Sequence, residues 1–252
     1  SQDGGWQGTR PFIIKEKRQE SELITSFVLA PLDGNPVLRF KPGQYLSIKL
    51  VHPALEHQEI RQYSLSDTPN GRDYRISVKR EPRGQASNLL HDHLHIGDTV
   101  DIMPPAGDFF LQEVTDTPVV LISAGVGLTP LLSMLNHLLA DGPDVDIRWL
   151  HACEHGAHHA FRDEIRAKSR QYGKLESRIW YREPGEQDVK GEDYDFSGTL
   201  ALEQVTDLIP ADAHYYFCGP VPFMKAVKAQ LENVGVPAKR MHYEVFGPHQ
   251  GL

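Results

Sequence analysis

Two rhythms share this chain, and the change between them limits the available folds more than any other feature. Up to about residue 112, short runs rich in Ile, Val, Tyr and Phe follow one another at 12–17, 24–31, 45–50, 60–66, 73–80 and 99–103. Turn residues part them: Asp33-Gly34-Asn35, Lys41-Pro42-Gly43 and Pro69-Asn70-Gly71. Short strands at this spacing predict a closed antiparallel barrel or sandwich. One helical stretch interrupts them at 85–94, with Leu89, Leu90 and Leu94 on one side. Near Asp116-Thr117-Pro118 the pattern becomes strand–helix alternation. Strands are expected at 119–122, 145–150, 177–181, 213–217 and 241–246, and helices at 128–139, 160–170, 200–208 and 222–234. Apolar strands alternating with helices require a parallel sheet covered on both faces. The boundary falls near 110–117, and the polar stretch 183–197 is expected to be a mobile loop.

Composition removes several function classes. A net charge of −8 over 252 residues argues against a nucleic-acid surface. No apolar stretch approaches the ~20 residues of a membrane span, and no basic run suits an anionic membrane surface. The polar, Gly-rich start, Ser1 to Arg10, is unlike a secretory signal and lacks an initiator Met, as in a fragment or a processed product. Cys153 and Cys218 are too few for a disulfide framework or an iron–sulfur cluster. A reducing, cytoplasmic setting is the default. The histidines cluster at His91, His93 and His95 and at His151, His155, His158 and His159. No zincin-like spacing accompanies them, so they read as a solvated helix end and no metal site is expected. Trp6, Trp149 and Trp180 read as packing residues.

Four motifs carry chemistry. Gly125-Val126-Gly127-Leu128-Thr129-Pro130 follows the first buried strand and opens a helix. Glycines there admit a pyrophosphate to backbone N–H groups, and the helix N-terminus favours its charge. Pro130 in place of a third Gly departs from the usual dinucleotide fingerprint, and a plain tight strand–helix turn would read the same way. Cys218-Gly219-Pro220 likewise lies between a strand and a helix. Cys218 suits the neighbourhood of a nicotinamide ring or, equally, a buried apolar position. In the first half Arg61-Gln62-Tyr63-Ser64 stands on a strand, and alternation sends Arg61 and Tyr63 to one face. Arg grips phosphate and Tyr stacks on flat rings. Val78-Lys79-Arg80 lies on a neighbouring strand, and Gly84-Gln85-Ala86-Ser87-Asn88 opens a helix, a second anion-binding geometry.

In this order these motifs resemble the ferredoxin–NADP reductase superfamily and, within it, the reductase portion of the flavohemoglobins, the nitric oxide dioxygenases. The narrower likeness rests on Gly4-Gly5-Trp6-Gln7-Gly8-Thr9-Arg10, Pro42-Gly43-Gln44-Tyr45, Pro105-Ala106-Gly107-Asp108-Phe109-Phe110 and the stretch from His242 to His249. It implies a six-stranded antiparallel FAD-binding barrel over 1–112 and a doubly wound parallel-sheet NAD(P)-binding domain over 113–252, with the active site between them. It implies that Arg61 holds the FAD pyrophosphate and that Tyr45 and Tyr63 contact the flavin. Ser64 would lie near the reactive nitrogen, and Ser87 with its helix would receive a phosphate. Gln62, Val78, Lys79, Gly84 and Gln85 belong to the same cofactor site. Gly125, Val126, Gly127, Leu128, Thr129 and Pro130, with Cys218, Gly219 and Pro220, would frame the nicotinamide nucleotide. Val245, Phe246, Gly247 and Pro248 would close over the flavin, with Phe246 as the stacking ring. Glu244 would bias potential or protonation, so Ser64, Tyr63 and Glu244 are the catalytic candidates.

The implied activity is that of an NAD(P)H-dependent FAD oxidoreductase, passing electrons from NADH through FAD to haem on a globin domain that this sequence lacks, or to another one-electron acceptor. The alternatives are a free-standing NAD(P)H:flavin or ferric reductase, which would release its flavin, and a flavin electron-transfer subunit without nicotinamide activity. The intact Gly125–Pro130 loop speaks against the last. An acid at Glu154, past the second strand, suits the ribose hydroxyls of NADH and repels the 2′-phosphate of NADPH. His155 and Arg182 partly offset that repulsion. NADH is therefore the expected donor, with NADPH weaker.

Overall fold

The computed structural model describes residues 4–113 and 116–246. The chain forms two compact units, Ser1–Leu111 with Leu132–His137, and Gln112–Leu131 with Leu138–Leu252.

The first unit holds β1 (Arg10–Gln19), β2 (Ile24–Pro31), β3 (Tyr45–Leu50), β4 (Glu59–Ser64), β5 (Tyr74–Lys79), helix α1 (Gln85–His93) and β6 (Thr99–Ile102). The strands pair antiparallel in the order β4-β3-β6-β1-β2-β5. Beyond β4 the chain bridges back to β5, with Leu65 opposite Ile76 and the Ser66 N–H donating to the Arg75 carbonyl at 2.9 Å. Alternation supplies the core: Leu46, Ile48 and Leu50 of β3 turn inward against Phe12, Phe27, Ile76 and Val78. Leu89, Leu90 and Leu94 of α1 join the same cluster. Two cations fasten this helix. Lys17 donates to the carbonyls of His91 (2.6 Å) and Leu94 (2.8 Å), where the helix dipole favours positive charge. Arg80 forks onto Asp92 at 2.7 and 2.8 Å.

The second unit holds β7 (Val119–Ala124), α2 (Leu128–Ala140), β8 (Ile147–Cys153), α3 (Arg162–Gln171), β9 (Leu175–Tyr181), β10 (Phe196–Ser197), β11 (His214–Gly219), α4 (Val221–Asn233) and β12 (Met241–Val245). All strands run parallel in the order β10-β9-β8-β7-β11-β12. Val119 to Ile122 are wholly buried, as strands covered on both faces require. The stretch expected to be a helix at 200–208 is instead 3-10 turns over Leu202–Leu208, broken at Val205. The short β10 went unanticipated, because two residues carry no periodicity. Trp149 and Trp180 are buried, and Trp6 packs against Phe12 and Tyr74. Among the described residues no helix is long and apolar enough to cross a membrane.

The stretch 183–197 is tethered rather than loose. The Asp188 carboxylate accepts from the Gly156 and Gly185 N–H groups, Asp193 from Val189 N–H and Arg162, and Asp195 from Ile179 N–H. Polar composition suggested mobility, but these carboxylates satisfy backbone donors instead.

Tyr74 offers a test of the first core. Its ring is buried and its hydroxyl donates to the Leu38 carbonyl at 2.6 Å. Tyr74→Phe leaves that carbonyl unmatched and should cost about 1–2 kcal/mol, read as a lower urea midpoint with unchanged m.

Candidate functional site

In the first unit the edge strand β4 carries Arg61, Gln62, Tyr63 and Ser64. As an edge strand it exposes Ile60, Arg61 and Gln62 together, so the strict alternation expected for Arg61 and Tyr63 does not hold here. Tyr63 packs on the barrel core, and burial pushes its phenol up to about 12. Ser64 is buried opposite Tyr45 in the β3–β4 register. Tyr45 lies against Gly107, where a Cβ would come within 2.9 Å of the ring, so the glycine lets the tyrosine lie close to the backbone. Arg61 is half-exposed, 2.6 Å from Glu59. Glu59, which the sequence reading passed over, is therefore the internal competitor of any phosphate at Arg61.

Helix α1 opens at Gly84 with no acidic residue in its first turn and no side-chain cap. Ser87 is engaged locally: its hydroxyl accepts from Glu81 N–H (3.0 Å) and donates to the Gly84 carbonyl (3.2 Å). What the helix offers an anion is its first-turn backbone N–H groups. Gln85 is exposed and Lys79 partly so, whereas the side chain of Val78 lies in the core. The groups present fit a flavin nucleotide: a cation, an uncapped helix N-terminus, two tyrosines and a buried serine paired in register with one of them.

In the second unit the sheet order reverses between β7 and β11, and there their following loops meet. Open α/β sheets bind ligands at such a point. Gly125 to Gly127 form a 3-10 turn leading into α2. Gly125 takes φ +54° with open space before it. Gly127 is a different case: a Cβ there would lie 2.3 Å from the Cys218 carbonyl oxygen. Its lack of a side chain serves the packing of the two loops. Leu128, Thr129 and Pro130 are buried, with the Thr129 hydroxyl donating to the Val126 carbonyl at 3.0 Å, and Val126 is partly exposed. Gly219 is buried, Pro220 exposed, and Val245 buried beside them. The Phe246 N–H reaches the Gly219 carbonyl at 3.4 Å. Gly247 and Pro248 lie outside the described residues.

The register places His151, Ser123, Cys218 and Glu244 in one row across β8, β7, β11 and β12. Burial, reinforced by Glu244, pushes the Cys218 thiol well up, so it stays a neutral thiol. Burial pushes Glu244 up to about 7. Ser123 and His151 escaped the sequence reading; Ser123 Oγ lies 2.8 Å from His151 Nδ1. The available signal was one polar residue near the end of each of two apolar strands. His93 and His95 are exposed at the end of α1, as a solvated helix end requires, but the second cluster departs from that expectation. His151 and His159 are buried, His159 Nδ1 lies 2.7 Å from the Tyr181 hydroxyl, and burial lowers His151 to about 4. Among the described residues no group of three or more His, Cys, Asp or Glu could hold a metal ion. At the ends of β8 and β9, Arg182 Nε donates to both oxygens of Glu154 at 3.1 Å.

A flavin-type barrel unit joined to a parallel sheet with a nucleotide loop at its switch point defines a flavin- and nicotinamide-binding oxidoreductase. Family models agree: residues 11–111 match the oxidoreductase FAD-binding domain and 121–229 the oxidoreductase NAD-binding domain. The chain is 41% identical to the flavohem-like FAD/NAD-binding domain of nitric oxide dioxygenase from Vibrio cholerae O1 biovar El Tor, with a TM-score of 0.85 over 98% of this chain and 100% of that one. It belongs to this family of flavohemoglobin FAD/NAD-binding domains. It is also 49% identical over 251 residues to a flavohemoprotein of Rhizobium meliloti (strain 1021), covering 97% of this chain but 62% of that protein. Flavohemoglobin from Malassezia yamatoensis, whose structure holds FAD and haem, shares the fold at a TM-score of 0.84 and 24% identity, over 98% of this chain and 62% of that one.

Two substitutions test this geometry. Gly127→Ala forces a Cβ onto the Cys218 carbonyl and should destabilise the protein by about 1–3 kcal/mol even without nucleotide, as measured by chemical denaturation. A variant of wild-type stability would show that the loops do not meet as described. Glu244→Gln removes a carboxyl whose folded pKa is raised from 4.5 to about 7. The stability this group contributes is present below the lower value and lost as pH rises through the upper one. The variant should therefore gain Tm over wild type between about pH 5 and about pH 8, and an unchanged difference would mean that Glu244 is solvated.

Proposed function

We propose that this chain takes a hydride from NADH onto bound FAD and delivers the electrons singly to a haem acceptor, as one part of a nitric oxide dioxygenase. The observation that carries the reading is the meeting of the Gly125–Gly127 and Cys218–Pro220 loops at the switch point, over the Ser123–Cys218–Glu244 row. Residues 1–112 serve the flavin and 113–252 the nicotinamide nucleotide. FAD, when bound, supplies the conversion of a two-electron donor into a one-electron source. The chain's own residues supply position and field. Arg61 and the α1 N-terminus hold phosphates, Tyr45 and Tyr63 flank the ring system, and Ser64 presents a hydroxyl to it. Cys218 gives the nicotinamide end a neutral thiol, and Glu244, which burial brings to about 7, holds or releases a proton there. The partners are the nicotinamide nucleotide and a globin haem or another one-electron acceptor, in a cytoplasmic setting.

The test is a purified protein that stays yellow through desalting and is bleached anaerobically by NADH. Flavin lost on desalting would favour a free-standing flavin reductase; retained but unbleached flavin would favour an electron-transfer subunit. Arg61→Ala should raise the FAD Kd about ten- to a hundredfold, for the loss of one charge-assisted phosphate contact of about 1.5–3 kcal/mol. Full occupancy after dilution would remove Arg61 from the phosphate site.

NADH is the preferred donor because Glu154 accepts from ribose hydroxyls and repels a 2′-phosphate. Its pairing with Arg182 occupies a nearby cation that would welcome that phosphate. Glu154→Gln releases Arg182 and should narrow the NADH-to-NADPH ratio of kcat/KM by roughly three- to tenfold. A ratio unmoved by the change would make Glu154 a surface acid only.

A further inference from the structure

Past Glu154 and Arg182 the chain leaves β8 and β9 in two loops, and one carboxylate joins them. Asp188 Oδ2 accepts from Gly156 N–H at 3.1 Å and from Gly185 N–H at 2.7 Å. Gly156 stands two residues beyond Glu154, and Gly185 three beyond Arg182. The Asp188 N–H closes a turn onto the Gly185 carbonyl at 3.1 Å, so the aspartate is held from its own backbone as well. The fit at Gly156 is close: a Cβ there would lie 2.2 Å from Asp188 Oδ1. Between these loops the strand ends remain in register, with Arg182 N–H donating to the Cys153 carbonyl (3.0 Å) and Glu183 N–H to the Glu154 carbonyl (2.9 Å). The Glu154–Arg182 pair thus sits on a frame closed on one side by the sheet and on the other by Asp188. The pair itself is exposed and weak, about 0–1 kcal/mol, and cannot fix its own geometry.

We infer that Asp188 is the positioning residue for nucleotide choice: it holds the β8 and β9 loops together so that Glu154, and not Arg182, faces the adenosine ribose. This deepens the assignment of Glu154 and rests on it. An aspartate acting through two backbone donors predicts a particular pattern. The acceptor matters more than the charge, because both contacts are from N–H groups. An amide oxygen replaces it in part, and crowding at Gly156 has the same consequence as removing the carboxylate.

The experiment is calorimetric titration of the FAD-loaded protein with ADP-ribose and with its 2′-phosphate, which reads binding apart from turnover. Wild type should prefer ADP-ribose. Asp188→Ala should reduce that preference at least about fivefold, the equivalent of about 1 kcal/mol of lost hydrogen bonding. Asp188→Asn should keep most of it. Gly156→Ala, which leaves the aspartate in place but displaces it, should match Asp188→Ala, and the double variant should be no worse than either single one. Melting temperatures show whether each variant is folded; Gly156→Ala, which keeps the aspartate, carries the test if Asp188→Ala does not fold. An Asp188→Ala protein with wild-type preference overturns the inference, as does an Asp188→Asn protein as impaired as Asp188→Ala or fully additive single effects. If wild type prefers the 2′-phosphate, the reading of Glu154 falls and this inference with it. If wild type prefers ADP-ribose and only the Asp188 results fail, the reading of Glu154 stands.

Discussion

The second unit depends on a contact that leaves no room for a side chain. Gly127 meets the Cys218 carbonyl so closely that a Cβ would lie within 2.3 Å of it. That approach joins the turn after β7 to the turn after β11, the two strands between which the sheet changes direction. Once they are neighbours, register sets Ser123 beside Cys218 and Cys218 beside Glu244. A carboxyl, a thiol, a hydroxyl and an imidazole then line one row near the carboxyl edge of the sheet. Their burial decides their protonation. The thiol is pushed well up and the carboxyl up to about 7, so the thiol stays neutral and the carboxyl titrates near neutrality.

Anion recognition follows a related economy. The chain is acidic overall, and many of its cations are already occupied. Arg80 is taken by Asp92, Lys17 by helix carbonyls, Arg182 by Glu154 and Arg61 by Glu59. Under the function proposed above, phosphate groups would meet backbone N–H donors first, at the start of α1 and at the Gly125 turn, and cations only by exchange. Backbone donors cannot be neutralised or swung away, so they fix position better than mobile side chains. The acidic side chains have parallel duties: Asp188, Asp193 and Asp195 accept from backbone N–H groups and hold a long connection in place.

Much of this was legible in the residues alone. Period-two runs such as residues 45–50 predicted β3 to the residue, and the switch to strand–helix alternation predicted the parallel sheet. The motif order identified the family, because those motifs are spread along nearly the whole chain. The reading failed where a residue's use depends on a distant partner. The packing duty of Gly127 went unread because the sequence does not show that β11 lies against it. His151 and His159 looked solvated because their burial comes from packing across the sheet. Stretch 183–197 looked mobile because its aspartates find donors more than 25 residues away, the Gly156 N–H and the Arg162 guanidinium.

The sequence by itself therefore determined which elements form, in what order, and what class of ligand their loops suit. Those properties follow from local periodicity and from glycine and proline placement, which act over a few residues. Tertiary structure alone decided which strands are neighbours, which polar groups lose their water and which cation answers which acid. Each of those depends on pairs brought together from far apart in the chain, and so on register and burial, which no local pattern encodes.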